Sequence, residues 1–130
     1  YLNARHTLLT LFQYGCLPVV NENDTVSVAE IKFGDNDHLA ALVAGLLDAR
    51  LLVLLTNVPG LYTADPRTDP AAQLVSVVDR IDAAVAGLAA ATKSGLGTGG
   101  MRSKLRAARL ATAAGCEVVM ADGSRDGVLD

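Results

Sequence analysis

Leu51-Leu52-Val53-Leu54-Leu55-Thr56-Asn57 is the stretch that decides the fold class. Five apolar residues in a row do not alternate, so the run does not read as a strand with one wet face. It has the pattern of a parallel strand covered on both faces. Upstream, Leu39, Val43, Leu46 and Leu47 recur at helical offsets, and Ala40, Ala41 and Ala44 allow close approach to a sheet. Gly45 costs that helix about 1 kcal/mol against alanine, which close packing explains. Leu17-Pro18-Val19-Val20 reads as a second, short buried strand with Pro18 near its start. Residues 2–14 read as a helix with an apolar stripe of Leu8, Leu9, Leu11 and Phe12, stopped by Gly15.

Downstream, Val58-Pro59-Gly60-Leu61-Tyr62-Thr63 carries a Pro-Gly turn signal, and Asp65-Pro66-Arg67-Thr68-Asp69-Pro70 is a second turn-rich piece. Leu74, Val75, Val77 and Val78 read as a short strand, and residues 81–91 as a helix with Asp82 in its first turn. Residues 101–114 form the clearest late helix, with Met101, Leu105, Ala108 and Ala111 or Thr112 facing inward, ended by Gly115. Residues 117–121 give the last strand, and Asp122-Gly123-Ser124 turns away from its end. Alternation of this kind argues for a three-layer α/β/α sandwich around a mostly parallel sheet.

The chain has 130 residues, 51% of them hydrophobic, enough for one core and not for several domains. Aromatics make up only 4%, so that core is aliphatic. The net charge of -3 excludes a broad nucleic-acid surface; Arg102, Lys104, Arg106 and Arg109 are a local cluster on one helix. No apolar run reaches the roughly 20 residues that span a membrane. The opening Tyr1-Leu2-Asn3-Ala4-Arg5 has no Met and no signal-peptide pattern, and reads as the interior of a cytoplasmic protein. Cys16 and Cys116 lack metal-site spacing and are expected as two buried free thiols.

Two polar segments carry chemistry. In Ser94-Gly95-Leu96-Gly97-Thr98-Gly99-Gly100, the glycines let the backbone approach a ligand. The amides of the following helical turn then face an anion. Lys104 lies one turn after Gly100, and helical side chains lean toward the N-terminus, so its ammonium reaches back over the same space. The spacing is neither Walker A nor the dinucleotide fingerprint. A plain surface loop before a helix is the alternative. The second segment pairs Asn21-Glu22-Asn23-Asp24, at the end of one strand, with Gly34-Asp35-Asn36-Asp37, ahead of a helix. On parallel strands both clusters sit at one sheet edge, where ligands bind. Asp35 and Asp37 also qualify as helix caps. Carboxylates beside a transferred phosphate need a lysine or Mg2+ between them.

Together, residues 20–24, 34–37, 55–67 and 94–104 resemble the amino acid kinase family. The Gly-Thr-Gly-Gly-Met loop with Lys104 narrows the likeness to the members that phosphorylate the γ-carboxylate of L-glutamate in proline biosynthesis. The resemblance implies that the acceptor binds toward the N-terminal side and ATP, with Mg2+, toward the C-terminal side. Asp24 and Asn36 match glutamate-binding positions, with Asn21 and Asn23 beside them. Asp37 matches the aspartate that organises catalytic lysines, and Lys104 one of those lysines. Thr56 and Asn57 match an ATP-contacting pair; Asn57 stands where some members carry aspartate, so no charged contact is expected there. Tyr62, Asp65 and Pro66 are implied near the adenine or ribose. Thr98, Gly99, Gly100, Met101, Arg102, Ser103 and Lys104 match the phosphate loop. No dedicated protein metal ligand is implied.

The likeness covers residues 1–130 as the middle and ATP-side part of a catalytic domain, incomplete at its N-terminus and without a PUA domain. It implies a homo-oligomer inhibited by proline, with no nucleic-acid or membrane partner. A member acting on uridylate or N-acetylglutamate, and a nucleotide-binding fragment without turnover, are the alternatives.

Overall fold

A parallel strand pair forms because Leu51–Thr56 and Glu117–Asp122 are short, apolar runs that each emerge from a helix turn at the same level. β1 (Leu51–Thr56) lies beside β2 (Glu117–Asp122), with Leu52 opposite Val118, Leu54 opposite Met120 and Thr56 opposite Asp122. The computed structural model describes residues 2–22, 36–91 and 100–130. Among these the helices are α1 (Leu2–Gln13), α2 (Asn36–Leu46), α3 (Ala83–Ala91) and α4 (Met101–Ala113). The chain is therefore α/β with a parallel sheet, as its alternation indicates.

Side chains alternate across a strand, so Leu52, Leu54, Val118 and Met120 share one face. That face meets Ala41 and Ala44 of α2, Ala107 and Ala111 of α4, and Cys116. Ala41, Ala107 and Ala111 are 1%, 0% and 0% exposed, so small side chains let the two helices sit close together and close to the sheet. A Cβ added at Gly45 would stand 3.3 Å from the Cβ of Ala114. Gly45 thus gives up helix propensity for a tight interhelical contact. A second cluster of Leu61, Ala89 and Leu105 joins α3 and the segment 58–81 to another side of α4. Ala107 is the core position that the apolar periodicity of α4 did not single out; Thr112 is exposed and donates to the Ala108 carbonyl.

The opposite sheet face is open among the described residues. Leu51 is 51% exposed, Leu55 48% and Val119 47%. The uninterrupted apolar run predicts cover on both faces, and here helices provide it on one.

Helix ends follow local chemistry. Gly15 and Gly115 both adopt the left-handed conformation, at φ 69° and 84°. In each case the glycine amide bonds three residues back, and the following cysteine amide bonds five back: Cys16 to Leu11 and Cys116 to Ala111. This is the Schellman arrangement. Asp48 takes the same role after α2 at φ 52°, with the Ala49 amide on the Ala44 carbonyl. Arg5 secures that corner, donating from Nε to the Leu46 carbonyl at 2.9 Å and from Nη2 to Asp48 at 3.0 Å. Asp82 accepts from the Val85 amide at 3.0 Å and caps α3, which holds its carboxyl below the usual range.

Three expectations need correction. Residues 17–20 are not a strand: they pair with nothing among the described residues, and Leu17 and Val19 are 85% and 92% exposed. An apolar run becomes a strand only where a second strand takes up its amides. The run 74–78 shrinks to one antiparallel bridge, Leu74 to Tyr62. Cys16 is exposed, because the turn after α1 carries it away from any core; Cys116 is buried, and burial pushes its thiol up. Val26, Val28 and Ile31, whose apolar spacing reads as a short extended piece, lie outside the described residues.

Candidate functional site

The C-terminal ends of β1 and β2 and the N-terminus of α4 meet at one edge of the sheet, and a cleft of about 900 Å³ opens between them. In an open α/β sheet this is the edge where ligands bind. The end of β1 contributes Thr56, and Asn57 follows it. The segment after it contributes Tyr62, Asp65, Pro66 and Arg67. Helix α4 contributes Met101 and Lys104, its N-cap Gly100, and the turn after β2 Gly123 and Ser124.

Gly100 is the N-cap of α4, with an extended backbone and no side-chain cap. The Ser103 and Lys104 amides both turn back to the Gly100 carbonyl, at 2.9 and 3.3 Å. The amides of Met101 and Arg102 precede the first intrahelical bond, and the dipole makes this end of α4 favourable for an anion. Lys104 leans toward the same end, as its helical direction requires. Its Nζ donates to both carboxylate oxygens of Asp37, at 3.0 and 2.9 Å. The two side chains keep only 12% and 15% of their exposure. Asp37 sits in the first turn of α2, so one ion pair ties the N-termini of two helices that lie 67 residues apart in sequence. The local capping reading of Asp37 does not describe this contact.

The acceptor-side residues are placed in part. Asn36 begins α2, and its side-chain oxygen accepts from the Glu22 amide at 3.4 Å, joining the two polar segments. Asn21 is exposed beside it. Asn23, Asp24, Thr98 and Gly99 lie outside the described residues. Two members of the expected phosphate loop are not on the cleft. Arg102 is exposed elsewhere, and Ser103 is buried, 7% exposed, with no partner for its hydroxyl among the described residues. Helical rotation explains both: only every third or fourth residue of α4 returns to the cleft side.

Asp65 organises the segment after β1. Its carboxylate accepts from the Arg67 amide and Nε at 3.0 Å each and from Nη2 at 2.8 Å. The Arg67 bonds hold this carboxyl down at about 2. On the far wall, Asp122 accepts from both the amide (3.0 Å) and the hydroxyl (2.6 Å) of Ser124, which likewise lower its carboxyl. The Gly123 amide donates to the Thr56 carbonyl at 2.8 Å. The turn 122–124 therefore folds over the end of β1 and lines the cleft, where the sequence suggested that it leads away.

Arg67, Gly123 and Ser124 are cleft residues that sequence reasoning missed. Arg67 had a signal, since it stands two residues after an aspartate in a turn and such pairs often close on each other. For Gly123 and Ser124 no local signal existed. Among the described residues, no group of three or more His, Cys, Asp or Glu side chains is placed to hold a metal ion. No helix among them is long and apolar enough to cross a membrane.

Comparison with known proteins adds the following. The model of the amino acid kinase family matches residues 1–122. Glutamate 5-kinase of Sodalis glossinidius is 56% identical over 129 residues, covering 99% of this chain and 35% of the relative. Glutamate 5-kinase of Meiothermus ruber is 54% identical over 125 residues, covering 96% and 33%. That of Deinococcus radiodurans is 56% identical over 123 residues, covering 95% and 34%. The chain thus spans about a third of the length of the curated relatives it matches.

Proposed function

The chain belongs to the amino acid kinase family, and from that premise we propose that it is the nucleotide-side part of an enzyme that phosphorylates the γ-carboxylate of L-glutamate from ATP. The observation that carries the reading is the Lys104–Asp37 ion pair at the mouth of α4. It sets a cation, held by a carboxylate from the acceptor side, beside an uncapped helix N-terminus. The identity to glutamate 5-kinases supports the choice of acceptor.

In the proposed reaction a γ-carboxylate oxygen attacks the terminal phosphorus of ATP. The bond from that phosphorus to the bridging oxygen breaks, and ADP leaves with the electron pair. The carboxylate is already a nucleophile, so no general base is needed, and the protein acts by positioning and by neutralising charge. The first-turn amides of α4 take phosphate oxygens. Lys104 faces the charge that spreads over the transferred group, and Asp37 holds its ammonium in place. Asp24, Asn36, Asn21 and Asn23 hold glutamate. Thr56, Asn57, Tyr62, Asp65 and Pro66 hold the nucleoside, and Thr98 and Gly99 extend the phosphate loop.

Among the described residues, Asp37 beside the cleft is engaged by Lys104, and Asp65 on it by Arg67. That donor set suits Mg2+ carried mainly on nucleotide phosphates and water rather than in a protein cage. When bound, Mg2+ supplies further neutralisation of phosphate charge. A cytoplasmic homo-oligomer, with proline competing on the glutamate side, completes the proposal.

The test is ADP release by the full-length protein with L-glutamate, N-acetyl-L-glutamate and UMP as acceptors. Glutamate is expected to give the highest kcat/KM. Turnover with UMP or N-acetylglutamate in its place would overturn the choice of acceptor. Nucleotide binding without transfer to any of the three would reduce the reading to a binding fold.

A further inference from the structure

The hydroxyl of Ser124 is fixed in an unusual sense for a cleft serine. A serine hydroxyl has one proton to donate and two lone pairs to accept with. Here the proton is committed to Oδ1 of Asp122 at 2.6 Å, a short bond of the kind that a charged acceptor makes. The Ser124 amide binds the same oxygen at 3.0 Å, which holds the carboxylate in place beside the hydroxyl. What Ser124 has left is accepting capacity. The turn that carries it is pinned, since the Gly123 amide bonds the Thr56 carbonyl and a Cβ at Gly123 would stand 3.1 Å from the Cβ of Leu55. Ser124 therefore lines the cleft as a rigid hydrogen-bond acceptor.

The phosphates of a nucleotide belong with Lys104 and the first turn of α4. Among the described residues, the wall from β2 puts no cation on the cleft, and its polar side chain there is Ser124. We infer that Ser124, oriented by Asp122, selects the nucleobase by accepting a hydrogen bond from an exocyclic amine such as that at C6 of adenine. This selection presupposes the phosphotransferase reading above. A base with a carbonyl at that position sets two acceptors against each other, and the mismatch leaves both without a donor. The specificity lies in the carboxylate behind the serine: a hydroxyl with a free proton would serve either base.

The experiment compares ATP with ITP, whose base carries a carbonyl in place of the C6 amine, as donors for the full-length protein. The readout is the ratio of their kcat/KM values, which a general loss of structure does not move selectively. The wild-type ratio is expected to favour ATP, and S124A to lower it roughly 3- to 10-fold, the worth of one neutral hydrogen bond. S124T, which keeps the hydroxyl, is expected to retain most of the preference. D122A frees the serine proton and is expected to narrow the ratio by raising use of ITP. An unchanged ratio in both S124A and D122A overturns the inference. So does an S124A effect seen with 2′-deoxyATP and not with ITP, which would assign Ser124 to the ribose. A wild-type protein that transfers phosphate from neither nucleotide fails earlier, at the kinase reading itself.

Discussion

Asp37→Asn removes the charge from the ion pair while keeping the size of the side chain. Lys104 Nζ lies 2.9 and 3.0 Å from the two Asp37 oxygens. At an effective dielectric of about 20 the gross attraction at that distance is about 6 kcal/mol. Desolvation of both groups cancels much of it, and removing one partner of a fully buried pair costs about 3–5 kcal/mol. The side chains here retain 12% and 15% of their exposure, so water screens part of the loss. About 2–3 kcal/mol remains. If Asp37 holds Lys104 in the position that the transition state uses, that energy appears in turnover, and kcat should fall roughly 30- to 150-fold. The assay is ADP release by the full-length protein at saturating ATP and glutamate, beside a urea unfolding curve of the same variant. A cycle with Lys104→Met adds a second criterion. Two residues acting as one unit give strongly non-additive losses, so D37N should cost little more once Lys104 is gone. A D37N kcat within threefold of wild type, or losses that simply add, would refute the account of a carboxylate positioning a lysine.

Leu105 is 6% exposed between α3, α4 and the segment around Leu61, so Leu105→Ala should lower stability by about 2–5 kcal/mol, read as a shift in the urea midpoint. The two cysteines should separate on labelling with a thiol reagent at neutral pH: Cys16 is exposed and reacts at once, while burial raises the Cys116 thiol and it reacts only on unfolding. Equal rates for both would contradict the burial assigned to Cys116. Asp65 is held at about 2 by Arg67, below its usual 3.8. A depressed carboxyl stabilises the fold above its unfolded value and loses that contribution as the pH falls through its folded one. NMR titration should therefore show Asp65 still ionised at pH 3, and Arg67→Ala should return its midpoint toward 3.8.

The parts legible from sequence are those whose physics is local. Gly15 and Gly115 end α1 and α4 because a left-handed residue after a helix is a matter of a few backbone bonds. Asp82, read into the first turn of α3, stands just ahead of it and caps it through the Val85 amide. The apolar run 51–55 announced a strand, and the glycines before Met101 announced an open helix N-terminus. The lean of Lys104 toward the N-terminus of α4 was legible from its one-turn offset alone. Its pairing with Asp37, by contrast, was implied only by the family likeness.

What failed were readings that need a second segment. Residues 17–20 have strand composition, but a strand exists only where another edge accepts its hydrogen bonds, and here Val19 stands 92% exposed. Cys16 looks like a core residue beside an apolar run, and the turn after α1 puts it in solvent. Sequence by itself determined where α1 and α4 stop and which residues stand at the open N-terminus of α4. Only the tertiary structure decided which of those residues share a cleft. It turned Ser103 inward, closed Asp37 on Lys104 and folded Ser124 over the end of β1. Hydrogen bonds and ion pairs act over about 3 Å, while the chain separates their partners by as many as 67 residues, and packing alone brings those distances together.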